Sequence, residues 1–280
     1  MASNFLKPEF FIIGERKCGT SSLYRYLLDH PQIIPCKVKE PQFFSHSGWY
    51  RWTHWKQYQA LFPVIGDTYP IELDWFVLDK KGELSTEKIS YYRRTDMKEM
   101  TGEASANTFA QVPPSRLHTY FPDAKTIVLL RNPTERAYSH YRMFERFKKE
   151  GRRLPFELTT FEEDAHREIK AHAMGKRTYF IGPGVYHKRL QQWYSEFGSK
   201  GVHVIFTENL DNREDALIEM HLLCQFLGIE GHDFNQILEL KFNTSPVAVM
   251  PNSIRAELNH FYSDDKVKLV RLLHSKLPWK

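Results

Sequence analysis

Cysteine is scarce in this chain of 280 residues, which has only Cys18, Cys36 and Cys224. An odd, widely spaced set is no disulfide framework, and no two of them have the spacing of a zinc site. The composition therefore points to a reducing compartment. Thirteen histidines are present, but none forms a tight His-x-x-x-His pair. No apolar run approaches the roughly 20 residues that span a bilayer. The sequence runs almost directly into the apolar stretch Phe10 to Ile13, with no basic, apolar and small-residue leader ahead of it, so the expectation is a cytoplasmic protein without a membrane segment. Charge of one sign is also in short supply. The formal net charge is +5, which suits an anionic ligand but falls short of the basic stripe of a nucleic-acid binder. The one dense run, Arg146 to Arg153, is expected to be a solvated helix end, with an anion-binding patch as the alternative.

Hydrophobic residues make up 41% and charged residues 26%, a balance that supports one sizeable core and argues against disorder. No repeat, low-complexity tract or linker divides the chain, so residues 1–280 are read as a single domain. Phe10 to Ile13 has the pattern of a short buried strand, followed by the loop Gly14 to Gly19 and a helix over Ser21 to Leu28. Thr126 to Leu130 is a second strand, and Pro133 opens a helix running to about Lys149. Further helices are expected over Phe161 to Met174, Gly184 to Phe197 and Ala216 to Leu227, the last ended by Gly228, with a strand at Val202 to Phe206. Short strands alternating with longer helices imply an α/β fold, a parallel sheet with helices on both faces. Residues 46–100 are irregular, polar and aromatic. They read as short helices and loops, with Asp79 to Met100 as a lid.

Chemistry concentrates first at Gly14-Glu15-Arg16-Lys17-Cys18-Gly19-Thr20-Ser21-Ser22, between a strand and a helix. Two glycines five apart permit a tight turn, the helix start offers amides and a positive dipole end, and Arg16, Lys17 and three hydroxyls add charge and donors. This is a phosphate cradle. It departs from the G-x-x-x-x-G-K-[ST] loop of nucleoside-triphosphate enzymes, because Thr20 stands where their lysine would be and the lysine sits inside the loop as Lys17. The second strand ends in Arg131, where such an enzyme would usually offer a metal-binding aspartate. Both departures argue against ATP and Mg²⁺.

These segments resemble the sulfotransferases that use 3′-phosphoadenosine 5′-phosphosulfate (PAPS). Gly14 to Ser22 is similar to their 5′-phosphosulfate loop, and Leu130-Arg131-Asn132-Pro133 through Ser139 to their 3′-phosphate motif. Lys39-Glu40-Pro41-Gln42-Phe43-Phe44, Gly102-Glu103-Ala104-Ser105 and Gly184-Val185-Tyr186 through Trp193 resemble blocks of the heparan and chondroitin branch, in that family's order. The resemblance implies a P-loop-like sulfotransferase fold, with PAPS as donor, its desulfated form PAP as product, and no metal. It also implies that Arg16, Lys17, Cys18, Gly19, Thr20, Ser21 and Ser22 hold the 5′-phosphosulfate and that Arg131 and Ser139 hold the 3′-phosphate. Glu40 would be the catalytic base and Lys17 the group that stabilises the leaving phosphate. His46, just past the same block, is the next candidate base.

Three departures bear on the acceptor. Gln42 replaces a histidine of the related glycan enzymes, Ala104 replaces a lysine, and their C-terminal Lys-Gly-Arg loop is not evident around Lys241 to Ser253. With the modest net charge, they favour a small-molecule or short-glycan acceptor over a glycosaminoglycan chain, which stands as the alternative. A P-loop kinase or NTPase and a non-catalytic nucleotide- or glycan-binding module are the other readings. Tyr91, Tyr92, Arg93, Arg94 and tryptophans 49, 52, 55 and 75 are candidates to line an acceptor pocket or to pack a small subdomain. The acceptor, the choice between O- and N-sulfation and the oligomeric state are not encoded in any motif.

Overall fold

The structure is a computed structural model that describes residues 5–45, 54–63, 71–78, 84–91, 98–240 and 249–279, with the backbone alone for 71–78, 84–89 and 91. His46, Trp49, Trp52, Tyr92, Arg93 and Arg94 lie outside the described residues, as do the side chains of Trp75 and Tyr91.

The chain opens with strand β1 (Phe10–Gly14), helix α1 (Thr20–Leu27) and strand β2 (Ile33–Pro35). A short helix α2 (Trp55–Gln59) precedes the antiparallel hairpin of β3 (Ile71–Leu78) and β4 (Leu84–Tyr91). Strand β5 (Met100–Ala104) returns to the main sheet, followed by α3 (Thr108–Gln111), α4 (Pro114–Tyr120) and β6 (Lys125–Leu130). Then come α5 (Pro133–Lys149), α6 (Phe161–Ala173), α7 (His187–Phe197) and β7 (Val202–Phe206). Helices α8 (Thr207–Asp211), α9 (Arg213–Leu227), α10 (Asn252–Phe261) and α11 (Ser263–Leu273) complete the chain.

Five strands form a parallel sheet in the order β2-β5-β1-β6-β7. Successive residues of a strand face opposite sides, and the core divides accordingly. Phe11, Ile13, Val128 and Leu130 pack toward α4, α7 and α11 with Phe43, Phe44, Tyr58 and Trp193. Phe10, Ile12, Ile127 and Leu129 pack toward α1 and α9 with Leu23, Tyr24, Met220 and Leu223. A third apolar cluster joins α5, α6 and α10 through Tyr141, Phe161, Phe180 and Tyr262. Helices on both faces of a parallel sheet are the α/β architecture that the alternation of strands and helices predicts.

The expectation for residues 46–100 needs correction. Residues 71–78 and 84–91 pair as a hairpin, so much of the stretch read as loops and a lid is strand. Ile71 to Trp75 alternates apolar and polar residues, a strand signal that the reading of the segment as irregular passed over. The three-residue β2 was also missed, since so short a run carries no period. Elsewhere the boundaries shift little: α5 begins and ends where the sequence places it, while α7 starts at His187 after a single 3₁₀ turn over Gly182–Gly184.

Candidate active site

From β1 the chain leaves to one side of the sheet, toward β2 and β5, and from β6 it leaves to the other, toward β7. The carboxyl ends of β1 and β6 therefore flank a topological switch point, where open α/β sheets form a crevice. The loops that leave these two ends carry the residues singled out from the sequence.

The loop after β1 has backbone that few residues adopt. Gly14 has φ of 146°, and a Cβ there would come within 2.8 Å of the Ala106 carbonyl oxygen and of Phe109 Cβ. Lys17 and Gly19 take left-handed φ values of 68° and 84°. Gly19 is the residue before α1 and has no side chain with which to cap the first-turn amides of Thr20, Ser21 and Ser22. Thr20 is buried, while Ser21 and Ser22 are partly exposed at the loop's mouth. Cys18 is placed differently from its neighbours. Its thiol is fully buried and pushed up to about 12 by burial, and its amide donates to the Glu15 carbonyl at 3.2 Å.

Below the loop, Glu15 is buried with one carboxyl oxygen accepting from the Arg16 amide at 2.7 Å. Burial raises its pKa, opposed by the Arg136 guanidinium. Arg136 is itself buried and donates to the Phe180 carbonyl, with His140 Nδ1 3.3 Å away. Burial and Arg136 together hold His140 neutral.

Positive charge gathers above the loop. Lys17 is lowered to about 8 by burial and by the neighbouring Arg146 and Arg131, with Glu40 acting in the opposite sense. Arg131, at the end of β6, donates from Nη1 to the Lys17 carbonyl at 3.4 Å and so ties the two strand ends together. Ser139 is partly exposed about two turns along α5. Arg146 lies two turns further on the same helix, and its charge acts on Lys17. Arg146 and Arg152 share one carboxylate, with Glu150 3.5 Å from the first and 2.8 Å from the second.

Glu40 and Gln42 both take left-handed backbone, with φ of 56° and 51°. The Glu40 carboxyl lies 3.8 Å from Lys39 Nζ and acts electrostatically on Lys17 and Arg16. Gln42 Nε2 donates to Glu40 Oε2 at 3.2 Å, and Asn107 Nδ2 donates to Gln42 Oε1 at 2.9 Å. The Gln42 amide donates to Ser105 Oγ at 3.0 Å. Beneath them Glu103, 2% exposed on β5, is pushed up to about 8 by burial, with Tyr58 and Ser105 lowering it and Glu40 raising it.

The fold thus brings Arg16, Lys17, Glu40 and Arg131 into one crevice. Sequence reasoning missed several residues that hold them there. Thr207 Oγ1 donates to the Cys18 carbonyl at 2.7 Å, with the Leu130 carbonyl 3.1 Å away, linking the loop to β6. The Tyr186 hydroxyl donates to the Arg131 carbonyl at 3.0 Å. Glu208 accepts from the Asn132 amide at 2.8 Å and from Trp279 Nε1 at 3.0 Å. A lone Thr or Glu at the end of a strand carries no local signal of such a role.

Among the described residues no group of three or more His, Cys, Asp or Glu side chains is arranged to hold a metal, and no helix is long and apolar enough to cross a membrane.

Comparison with known proteins gives the same picture. Bifunctional heparan sulfate N-deacetylase/N-sulfotransferase 4 of Mus musculus is 26% identical over 298 aligned positions, which take in 95% of this chain and 30% of that protein. Carbohydrate sulfotransferase 15 of Rattus norvegicus is 28% identical over 261 positions, covering 79% of this chain and 44% of that one. The chain therefore spans less than half the length of these curated relatives. The crystal structure of a sulfotransferase from Alicyclobacillus acidocaldarius superposes with a TM-score of 0.67 at 27% identity over 97% of both chains. Mouse sulfotransferase SULT7A1, solved with PAP, shares the fold at a TM-score of 0.50 and 14% identity, covering 85% of this chain and 65% of that one. A family model for the sulfotransferase domain matches residues 7–245, from ahead of β1 to beyond α9, and every loop that shapes the crevice falls inside it. The chain belongs to the sulfotransferase domain family, on the side of its carbohydrate enzymes.

Proposed function

We propose that this chain, as a single domain over residues 1–280, is a PAPS-dependent sulfotransferase that moves a sulfuryl group to a hydroxyl or amine of a small-molecule or short-glycan acceptor. The observation that carries the reading is the grouping of Lys17, Arg16 and Arg131 with the Glu40 carboxylate at the carboxyl ends of β1 and β6. Cations gathered beside a helix start without a side-chain cap fit a nucleotide with two anionic ends. In this reading Arg131 and Ser139 hold the 3′-phosphate. The loop from Arg16 to Ser22 holds the 5′-phosphosulfate, with the Cys18 thiol turned away from it.

Glu40 takes the proton that the acceptor oxygen or nitrogen gives up as its bond to sulfur forms. Lys17 and the first-turn amides of α1 meet the negative charge that builds on the phosphate oxygen as its bond to sulfur breaks. The products are the sulfated acceptor and PAP, and the scheme draws its charge from Lys and Arg rather than from a metal. A reducing, cytoplasmic setting belongs to the same proposal and is supported by three free, buried cysteines.

A glycosaminoglycan acceptor is the second reading. It is favoured by the curated relatives and by Arg177, whose charge acts on Arg16 and extends the basic region beyond the loop. Titration with PAP followed by an acceptor screen with labelled PAPS tests the activity. A chelator should leave transfer intact, and activity lost with chelator and restored by Mg²⁺ would return the kinase reading. A KM that rises steeply between low and moderate salt, with turnover on heparan or chondroitin chains, would replace the small acceptor with the polyanion.

A further inference from the structure

Glu40 does not stand alone in the crevice: its carboxyl is the end of a chain of side-chain amides. Gln42 Nε2 donates to Glu40 Oε2, and Asn107 Nδ2 donates to Gln42 Oε1. The carboxylate fixes the direction of both bonds. An ionised carboxyl can only accept, so Gln42 must turn its nitrogen toward Glu40. Its oxygen then faces Asn107, which must answer with its own nitrogen. The remaining Asn107 oxygen is buried without a hydrogen-bond partner. An isolated acceptor of that kind is costly, and here it follows from committing the nitrogen to Gln42.

The backbone of Gln42 is pinned as well. Its φ of 51° is unusual for a residue with a side chain, and its amide donates to Ser105 Oγ at 3.0 Å. Ser105 in turn hydrogen-bonds the buried carboxyl of Glu103. Gln42 is thus gripped from two sides by residues just after β5: Ser105 holds its backbone and Asn107 its side chain. A strained backbone fixed by neighbours is a mark of pre-organisation.

We infer that Gln42 is the positioning residue of Glu40, that Asn107 sets the orientation of the Gln42 amide, and that the pair keeps the Glu40 carboxylate aimed for proton abstraction. This rests on the reading of Glu40 as the base. The other charged groups facing Glu40 are Lys39 beside it, Lys17 and Arg16 from the loop after β1, and Glu103 from β5. Among these contacts the Gln42 amide is a neutral, directional donor, which the cations do not replace.

The test is a double-mutant cycle read by pH profile. Gln42→Met keeps the length of the side chain and the backbone bond to Ser105 but removes the amide. The acid limb of kcat/KM should move up by about one pH unit, because a hydrogen bond to the charged form is lost. PAP affinity, measured by calorimetry, should stay near that of the parent protein. Asn107→Ala should shift the limb in the same direction by less, and the double variant should match Gln42→Met alone, because Asn107 acts through Gln42. Gln42→His, which retains a donor, should restore part of the loss. An unmoved acid limb in Gln42→Met with normal PAP affinity, or additive shifts in the double variant, would overturn the assignment. If Gln42→Met fails to bind PAP, Asn107→Ala decides, and an unmoved limb there has the same force. A fully active Glu40→Gln variant would defeat the base reading itself. An inactive Glu40→Gln beside an unmoved limb in Gln42→Met defeats only the role of Gln42.

Discussion

The Arg131 guanidinium donates to the backbone carbonyl of Lys17 at 3.4 Å, so the end of β6 is joined to the phosphate loop of β1. The proposed 3′-phosphate and 5′-phosphosulfate subsites are therefore mechanically linked, and Tyr186 holds the arrangement from the other side by donating to the Arg131 carbonyl. The Arg131→Ala variant loses charge-assisted hydrogen bonds worth roughly 1.5–3 kcal/mol. Calorimetry should show PAP affinity reduced on the order of ten- to a hundredfold. Unchanged affinity would remove Arg131 from the nucleotide site.

Lys17 supplies a prediction about protons. Burial and the nearby Arg146 and Arg131 lower it to about 8, so at that pH about half of it is neutral in the free protein. A bound anion favours the ammonium form and should draw a proton from solution. Calorimetry at pH 8 in buffers of differing ionisation enthalpy should therefore show proton uptake on PAP binding. Lys17→Arg, which stays charged, should bind PAP with little or no uptake. Equal uptake in both proteins would place the proton elsewhere.

The Glu40 carboxylate acts on both Lys17 and Arg16. Glu40→Gln should lower turnover by about 10²–10⁴-fold while PAP affinity stays near that of the parent protein. Activity retained in full would move the base to another residue.

Glu103 predicts how stability depends on pH. Burial raises its carboxyl from the ordinary 4.5 to about 8, so between these values the folded chain holds a proton that the unfolded chain has released. The folded state is then the one with more protons bound, and this group makes stability fall as pH rises through that window. Denaturant unfolding from pH 5 to pH 9 should show the decline, and Glu103→Gln should flatten it. A variant with the same slope as the parent would show that Glu103 is ionised in the folded chain or reached by water.

What the sequence determined by itself is local chemistry. The loop from Gly14 to Ser22 and the turn from Arg131 through Asn132 to Pro133 are contiguous, and their glycines, proline and capping asparagine dictate nearby backbone directly. The 3.6-residue period of α5 and the apolar run of β6 need only neighbouring residues to be read, so both elements and the parallel α/β class were legible. The tertiary structure decided what those motifs meet. Thr207 reaches Cys18 across 189 positions, Asn107 reaches Gln42 across 65, and Tyr186 reaches Arg131 across 55. Such pairings follow from strand order and register, which no single segment encodes. The same holds for Arg146, whose run looks like any basic helix end until the fold brings its charge to act on Lys17. Gln42 is the sharpest case. In the sequence it is only a departure from a histidine, and its role emerges when β5 delivers Ser105 and Asn107 to its two ends, because a side-chain amide has direction only once its donors and acceptors are in place.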